Sequence, residues 1–150
     1  MTHGADRAQA LAERVASHLL DRDAFTRWLG AEVLAIAPRR ATLRMTVRDD
    51  MVNGFGLCHG GVTFSLADGA LAFASNAHGS LTMSIDNAIA YPASARSGDV
   101  LTATCEAESV NRKVSFYRVT VTNQHDVAVA HFRGTVYDTG RALIGDADQR

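Results

Sequence analysis

Apolar residues recur at helical spacing over about residues 5–20, where Ala8, Leu11, Ala12, Val15 and Leu19 form one stripe. Arg7, Glu13 and Arg14 fall off that stripe, so the segment predicts an amphipathic helix. A short second turn follows, with Asp23 as N-cap, Phe25, Trp28 and Leu29 as apolar anchors and Gly30 as stop. The period then changes. Residues 31–37 predict a strand ended by Pro38, and a tight turn at Arg39-Arg40 leads into a second strand. In that strand Ala41, Leu43, Met45 and Val47 alternate with Thr42, Arg44, Thr46 and Arg48.

Residues 49–61 are irregular and rich in glycine. Beyond them, about residues 61–77, Val62, Phe64, Leu66, Ala67, Ala70, Leu71, Ala72, Phe73, Ala74 and Ala77 occupy every side of a helical wheel. A helix apolar on all sides is expected to be wrapped by the rest of its domain. The remainder reads as β. Residues 81–91 put Met83, Ile85, Ile89 and Tyr91 on one face, 100–110 group Leu101, Ala103, Cys105 and Ala107, and 114–122 group Tyr117, Val119 and Val121. Residues 127–137 form a last long strand. Turns at Asn111-Arg112 and Gln124-His125-Asp126 predict consecutive antiparallel pairing, and the polar tail from Asp138 is expected to be loose. The architecture is α+β: one long antiparallel sheet curled around one buried helix.

Composition narrows the function. The chain has 150 residues, 47% hydrophobic and 21% charged, the proportions of a single ordinary globular domain. Fifteen basic and sixteen acidic residues leave a net charge of -1, without the basic surplus of a nucleic-acid binder. Cys58 and Cys105 give neither a disulfide framework nor metal-ligand spacing, and Cys105 falls in a strand pattern as a small core residue. Charges interrupt the first helix, so no export signal or membrane span is expected, and the chain is expected to be cytoplasmic.

The candidate chemistry lies between Asn53 and Asp68. Asp68 sits two turns into the apolar helix, where an ionised carboxylate costs several kcal/mol unless it is paired or hydrogen-bonded. Gly60-Gly61 opens that helix, where the first N–H groups lack partners and the dipole is positive. Donors of this kind polarise a carbonyl and stabilise a developing oxyanion, although an opening turn with positive φ would also call for glycine. Asn53 offers an amide that can meet a carbonyl or a water, or simply a turn. His59 is read as stiffening the loop, with a general base as the alternative. Cys58-His59 is not read as a nucleophile–base pair, because sequence neighbours usually point apart.

These residues resemble a known family. Asn53-Gly54, His59-Gly60-Gly61, Ser65-Leu66-Ala67-Asp68, Ser84-Ile85-Asp86 and His131-Phe132-Arg133-Gly134 together resemble the hotdog-fold acyl-CoA thioesterases, and among them the phenylacetate-degradation branch. The likeness covers about residues 25–137. It implies a hotdog fold, a curved antiparallel sheet around a long helix, and hydrolysis of an acyl-CoA thioester with no metal or redox cofactor. By resemblance Asp68 is the catalytic carboxylate, attacking the thioester carbon or activating water. Gly60 supplies the polarising N–H, Asn53 orients thioester or water, and Ser84 helps hold the water. His59 and Gly61 belong to the substrate-binding loop. Arg112 and Lys113 are the leading candidates for the coenzyme A phosphates, with Arg96 and Arg133 behind them. The resemblance also implies a homodimer or dimer of dimers, with Asn53 and Gly60 from one subunit facing Asp68 and Ser84 of the other. A non-catalytic acyl-CoA-binding module and a hotdog hydratase or dehydratase are the alternatives.

Overall fold

A computed structural model describes residues 2–145. The predicted elements are present with shifted limits: α1 (Thr2–Arg22), α2 (Ala24–Leu29), β1 (Glu32–Ala37), β2 (Arg40–Thr46), α3 (Gly60–Asn76), β3 (Ser80–Ala90), β4 (Val100–Ser109), β5 (Val114–Thr122) and β6 (Ala128–Ala142). The six strands form one antiparallel sheet in the order β1-β2-β4-β5-β6-β3, the α+β hotdog arrangement. α3 lies across its inner face and packs on β2 through β6. No helix among the described residues is long and apolar enough to cross a membrane.

The alternation in the sequence holds wherever the ladders are unbroken. Ala41, Leu43 and Met45 of β2 face Leu101, Ala103 and Cys105 of β4, which face Val119 and Val121 of β5; all are buried. The turn joining β1 and β2 is Pro38-Arg39, Arg39 taking a left-handed φ of 63°. Asp23 caps α2 as expected, accepting from the Thr26 N–H at 2.9 Å, and Gly30 closes it at φ 72°. Gln9 of α1 donates to the Ile36 carbonyl at 2.9 Å, tying the first helix to the outermost strand.

Three expectations need correction. First, α3 is not buried on every side. Leu66, Ala67, Ala70, Leu71, Phe73 and Ala74 are buried, but Gly61 is exposed and Ser65, Asp68 and Ala72 are half-buried. Those four positions follow one line along the helix, so a single chain leaves an open strip that carries the aspartate. Second, β3 does not alternate through its length. Ser84 pairs with Val136 and Asp86 with Thr135, so Ile85 is an extra residue, a β-bulge. Beyond it the faces exchange. Ser84 and Asn87 therefore share the inner face opposite Val136 and Gly134, while Met83 and Ile85 are exposed. Third, the tail from Asp138 is not loose as far as it is described. β6 continues to Ala142, and the Leu143 N–H donates to the Gly79 carbonyl at 2.9 Å. The part of the expected tail beyond Gly145 lies outside the described residues.

Candidate active site

The loop before α3 is built on Asn53. Its main-chain N–H donates to the Leu57 carbonyl at 2.7 Å, and its Oδ1 accepts from the N–H groups of Phe55 (2.9 Å) and Leu57 (3.1 Å). Two backbone donors identify that atom as the oxygen, so the amide nitrogen faces the other way. Gly56 supplies the left-handed residue of the loop, at φ 74°. Cys58 is then fixed by its N–H to the Ala95 carbonyl (2.8 Å), and His59 by its N–H to the Met51 carbonyl (2.8 Å).

His59 caps α3. Its Nδ1 accepts from the Gly61 N–H at 2.9 Å. Neither Gly60 nor Gly61 has a positive φ, so the conformational explanation for this pair fails. Both glycines are there for space. A Cβ on Gly60 would lie 3.0 Å from the Tyr91 hydroxyl oxygen, and one on Gly61 would lie 3.0 Å from His59 Nδ1. Tyr91 donates its hydroxyl to the Gly60 carbonyl at 2.7 Å and so anchors the first helical turn. The Gly60 N–H has no acceptor among the described residues. It lines a cavity of about 350 Å³ with Asn53, Leu57, Thr63, Tyr91 and Val129.

Asp68 lies elsewhere. Eight residues along a helix rise about 12 Å, and the carboxylate does not line that cavity. Its Oδ1 accepts from Asn87 Nδ2 at 3.2 Å, and Asn87 Oδ1 in turn accepts from the Ser84 hydroxyl at 2.9 Å. Burial pushes the Asp68 carboxyl above the usual carboxylate range; the Asn87 hydrogen bond opposes this, and the charge of Asp23 at the start of α2 adds to it. A carboxylate desolvated in this way, on an open strip, is a stronger base than a solvated one.

One chain therefore brings the predicted residues together in two groups. Asn53 and Gly60 share the cavity, with His59 and Gly61 beside them at the helix start; Asp68 and Ser84 are joined through Asn87. Arg112 and Lys113 sit at the β4–β5 turn, Arg112 exposed and Lys113 Nζ 5.5 Å from the Tyr137 ring centroid. Arg96 is exposed beside the loop, and Arg133 pairs with Glu108 at 3.7 Å on the outer face of the sheet. Cys58 and Cys105 are free thiols, both buried, and desolvation raises both, so neither is a ready thiolate. Asn87 and the anchoring hydroxyl of Tyr91 escape the sequence reading. The first is hidden by the bulge; the second shows only as an aromatic at the end of an apolar strand.

Known proteins resemble this chain in sequence and in fold. Residues 55–130 match the family model of the thioesterase superfamily. Acyl-coenzyme A thioesterase PaaI of Escherichia coli (strain K12) is 33% identical over 129 residues, 86% of this chain and 92% of PaaI. The structure of the E. coli PaaI protein, from the phenylacetic acid degradation operon, superposes with a TM-score of 0.88 at 32% identity, covering 89% of this chain and 97% of PaaI. A Streptococcus mutans protein solved bound to acetyl CoA superposes with a TM-score of 0.72 at 27% identity, over 75% of this chain and 90% of its own. The chain belongs to the thioesterase superfamily. It is a hotdog-fold thioesterase similar to PaaI.

Proposed function

We propose that this thioesterase hydrolyses an acyl-CoA thioester to the free acid and coenzyme A, in a site completed by a second copy of the chain. The observation that carries the reading is the pairing of an unpartnered helix-start N–H with a half-buried carboxylate eight residues further on. These are the two groups a thioester needs, set too far apart to meet one carbonyl within a single helix. A second α3 facing the open strip across a two-fold axis closes that gap. The thioester oxygen then accepts from the Gly60 N–H and the Asn53 amide, which stabilise the negative charge that develops on it. Asp68 of the facing copy either attacks the carbonyl carbon, forming an anhydride that water cleaves, or removes a proton from an attacking water. In both routes the C–S bond breaks and the thiolate leaves to take up a proton. No metal or redox cofactor is required.

The cavity beside Asn53 and Gly60 has no charged side chain in its lining, which suits a neutral acyl group. The similarity to PaaI supports an aryl-acetyl group such as phenylacetyl or a hydroxylated relative. Arg112 and Lys113 are proposed to meet the coenzyme A phosphates, with Arg96 and Arg133 as further cations. The test is release of free thiol from phenylacetyl-, benzoyl-, short- and long-chain fatty acyl-CoA, by the parent and by Asp68→Asn. We expect turnover highest with the aryl-acetyl substrate and a loss of at least roughly 10²-fold in kcat for the variant. Parent-like activity in Asp68→Asn would overturn the assignment of the carboxylate, and preference for long fatty chains would overturn that of the substrate.

A further inference from the structure

We propose that Asn87 is the positioning residue of Asp68, held in turn by the Ser84 hydroxyl. This inference rests on the reading of Asp68 as the reacting carboxylate. The geometry has three parts. The Ile85 bulge turns Ser84 and Asn87, three residues apart, onto the same inner face, which regular alternation would forbid. Ser84 donates its only hydroxyl proton to Asn87 Oδ1. The Asp68 carboxylate fixes which way the amide points, because the reversed amide would set its oxygen against a carboxylate oxygen. Asn87 Nδ2 therefore faces Asp68 Oδ1, and Oδ2 is left without a partner among the described residues. Gly134 completes the support. It sits opposite Asn87 in the β3–β6 ladder, and a Cβ there would lie 3.1 Å from Asn87 Oδ1.

An amide donor at one carboxylate oxygen does two things. It selects one side-chain orientation, so that the free oxygen meets the thioester carbon or the water. It also favours the ionised form against burial and against the neighbouring charge of Asp23, the charged group whose field reaches Asp68. Loss of the donor should thus lower kcat and move the acid limb of kcat/KM to higher pH, with little change in KM.

The experiment compares pH profiles of thioester hydrolysis for the parent, Asn87→Ala, Asn87→Asp and Asp68→Asn. We expect Asn87→Ala to lose about tenfold in kcat, the order of one charge-assisted hydrogen bond, with KM within about twofold and the acid limb displaced upward. Asn87→Asp, nearly isosteric and so a safeguard should the alanine variant not fold, should displace the limb further by setting a second carboxylate against Asp68. An unmoved acid limb in the Asn87 variants would overturn the inference. If Asp68→Asn is inactive while those profiles do not move, only the positioning role fails. If Asp68→Asn is active, the underlying reading of the site fails instead.

Discussion

Asp68 and Asp138 both accept hydrogen bonds from side chains of β3, yet they move in opposite directions. For Asp68 burial prevails, and the single Asn87 amide offsets it only in part. For Asp138 burial also acts upward, but the Ser80 hydroxyl, the Gly140 N–H at 2.8 Å and the His78 imidazole at 3.2 Å together hold the carboxyl down at about 2. The consequences for stability have opposite signs. The raised Asp68 costs stability once pH climbs through its folded value, so Asp68→Asn should fold at neutral pH at least as well as the parent. The depressed Asp138 contributes stability that is complete above the unfolded value near 3.8 and is lost as pH falls towards 2. Asp138→Asn should therefore lower Tm at pH 6 by a few degrees, on the order of 1 kcal/mol for hydrogen bonds to a charged group. That difference should vanish in melting curves recorded near pH 2. A constant deficit across the pH range would mean that packing, not charge, holds β6 to the end of α3.

At the scale of elements, β3 decides how the site is assembled, and β3 is where the sequence is hardest to read. β2, β4 and β5 alternate without interruption through the pairs that cover α3, so hydrophobic periodicity alone identified their inner faces. A bulge leaves no mark in periodicity. Met83, Ile85, Ile89 and Tyr91 look like one face because odd numbers stay together on paper, whereas the inserted Ile85 moves Met83 outward and Asn87 inward. The extension of β6 past Asp138 was equally hidden, because polar contacts to Ser80 and His78 hold it instead of an apolar row. Gly60 and Asp68 stand out in the sequence, since an aspartate and a glycine pair are each unusual for an apolar helix. Their division into two separate groups followed only from helix rise. Gly134 links this element to the core. A Cβ there would lie 2.4 Å from Leu71 Cδ2 and 3.1 Å from Asn87 Oδ1, so β6 approaches α3 as closely as glycine allows. Gly134→Ala should destabilise the fold by about 1–3 kcal/mol, as overpacking does, measured by urea denaturation. Stability equal to the parent would show that Leu71 has room to move.

At the scale of the whole molecule, the sheet ends at β3, eleven residues long, with Met83 and Ile85 both more than half exposed. A long apolar strand with an unpaired edge invites pairing, and the open strip of α3 bearing Asp68 is the second surface a single chain leaves unfinished. Joining two copies at β3 would cover the first surface and bring the second against its mate. The proposal of a shared site carries its own test. Asn53→Asp keeps the Oδ1 that accepts from the Phe55 and Leu57 N–H groups but loses the amide donors, so it should inactivate the site without opening the loop. Asp68→Asn removes the carboxylate and leaves the donors in place. Each variant alone should be inactive. When the two are mixed and subunits exchange at random, about half the dimers are mixed, and each has one site with both lesions and one with none, so roughly a quarter of parental activity should return. Sedimentation at micromolar concentration and mass spectrometry of differently tagged subunits establish that dimers form and exchange. Verified exchange with no recovery of thiol release would place Asn53 and Asp68 in the same subunit's site. An active monomer would remove the shared site altogether, and α3 would then have to bend or the substrate span about 12 Å of helix unaided.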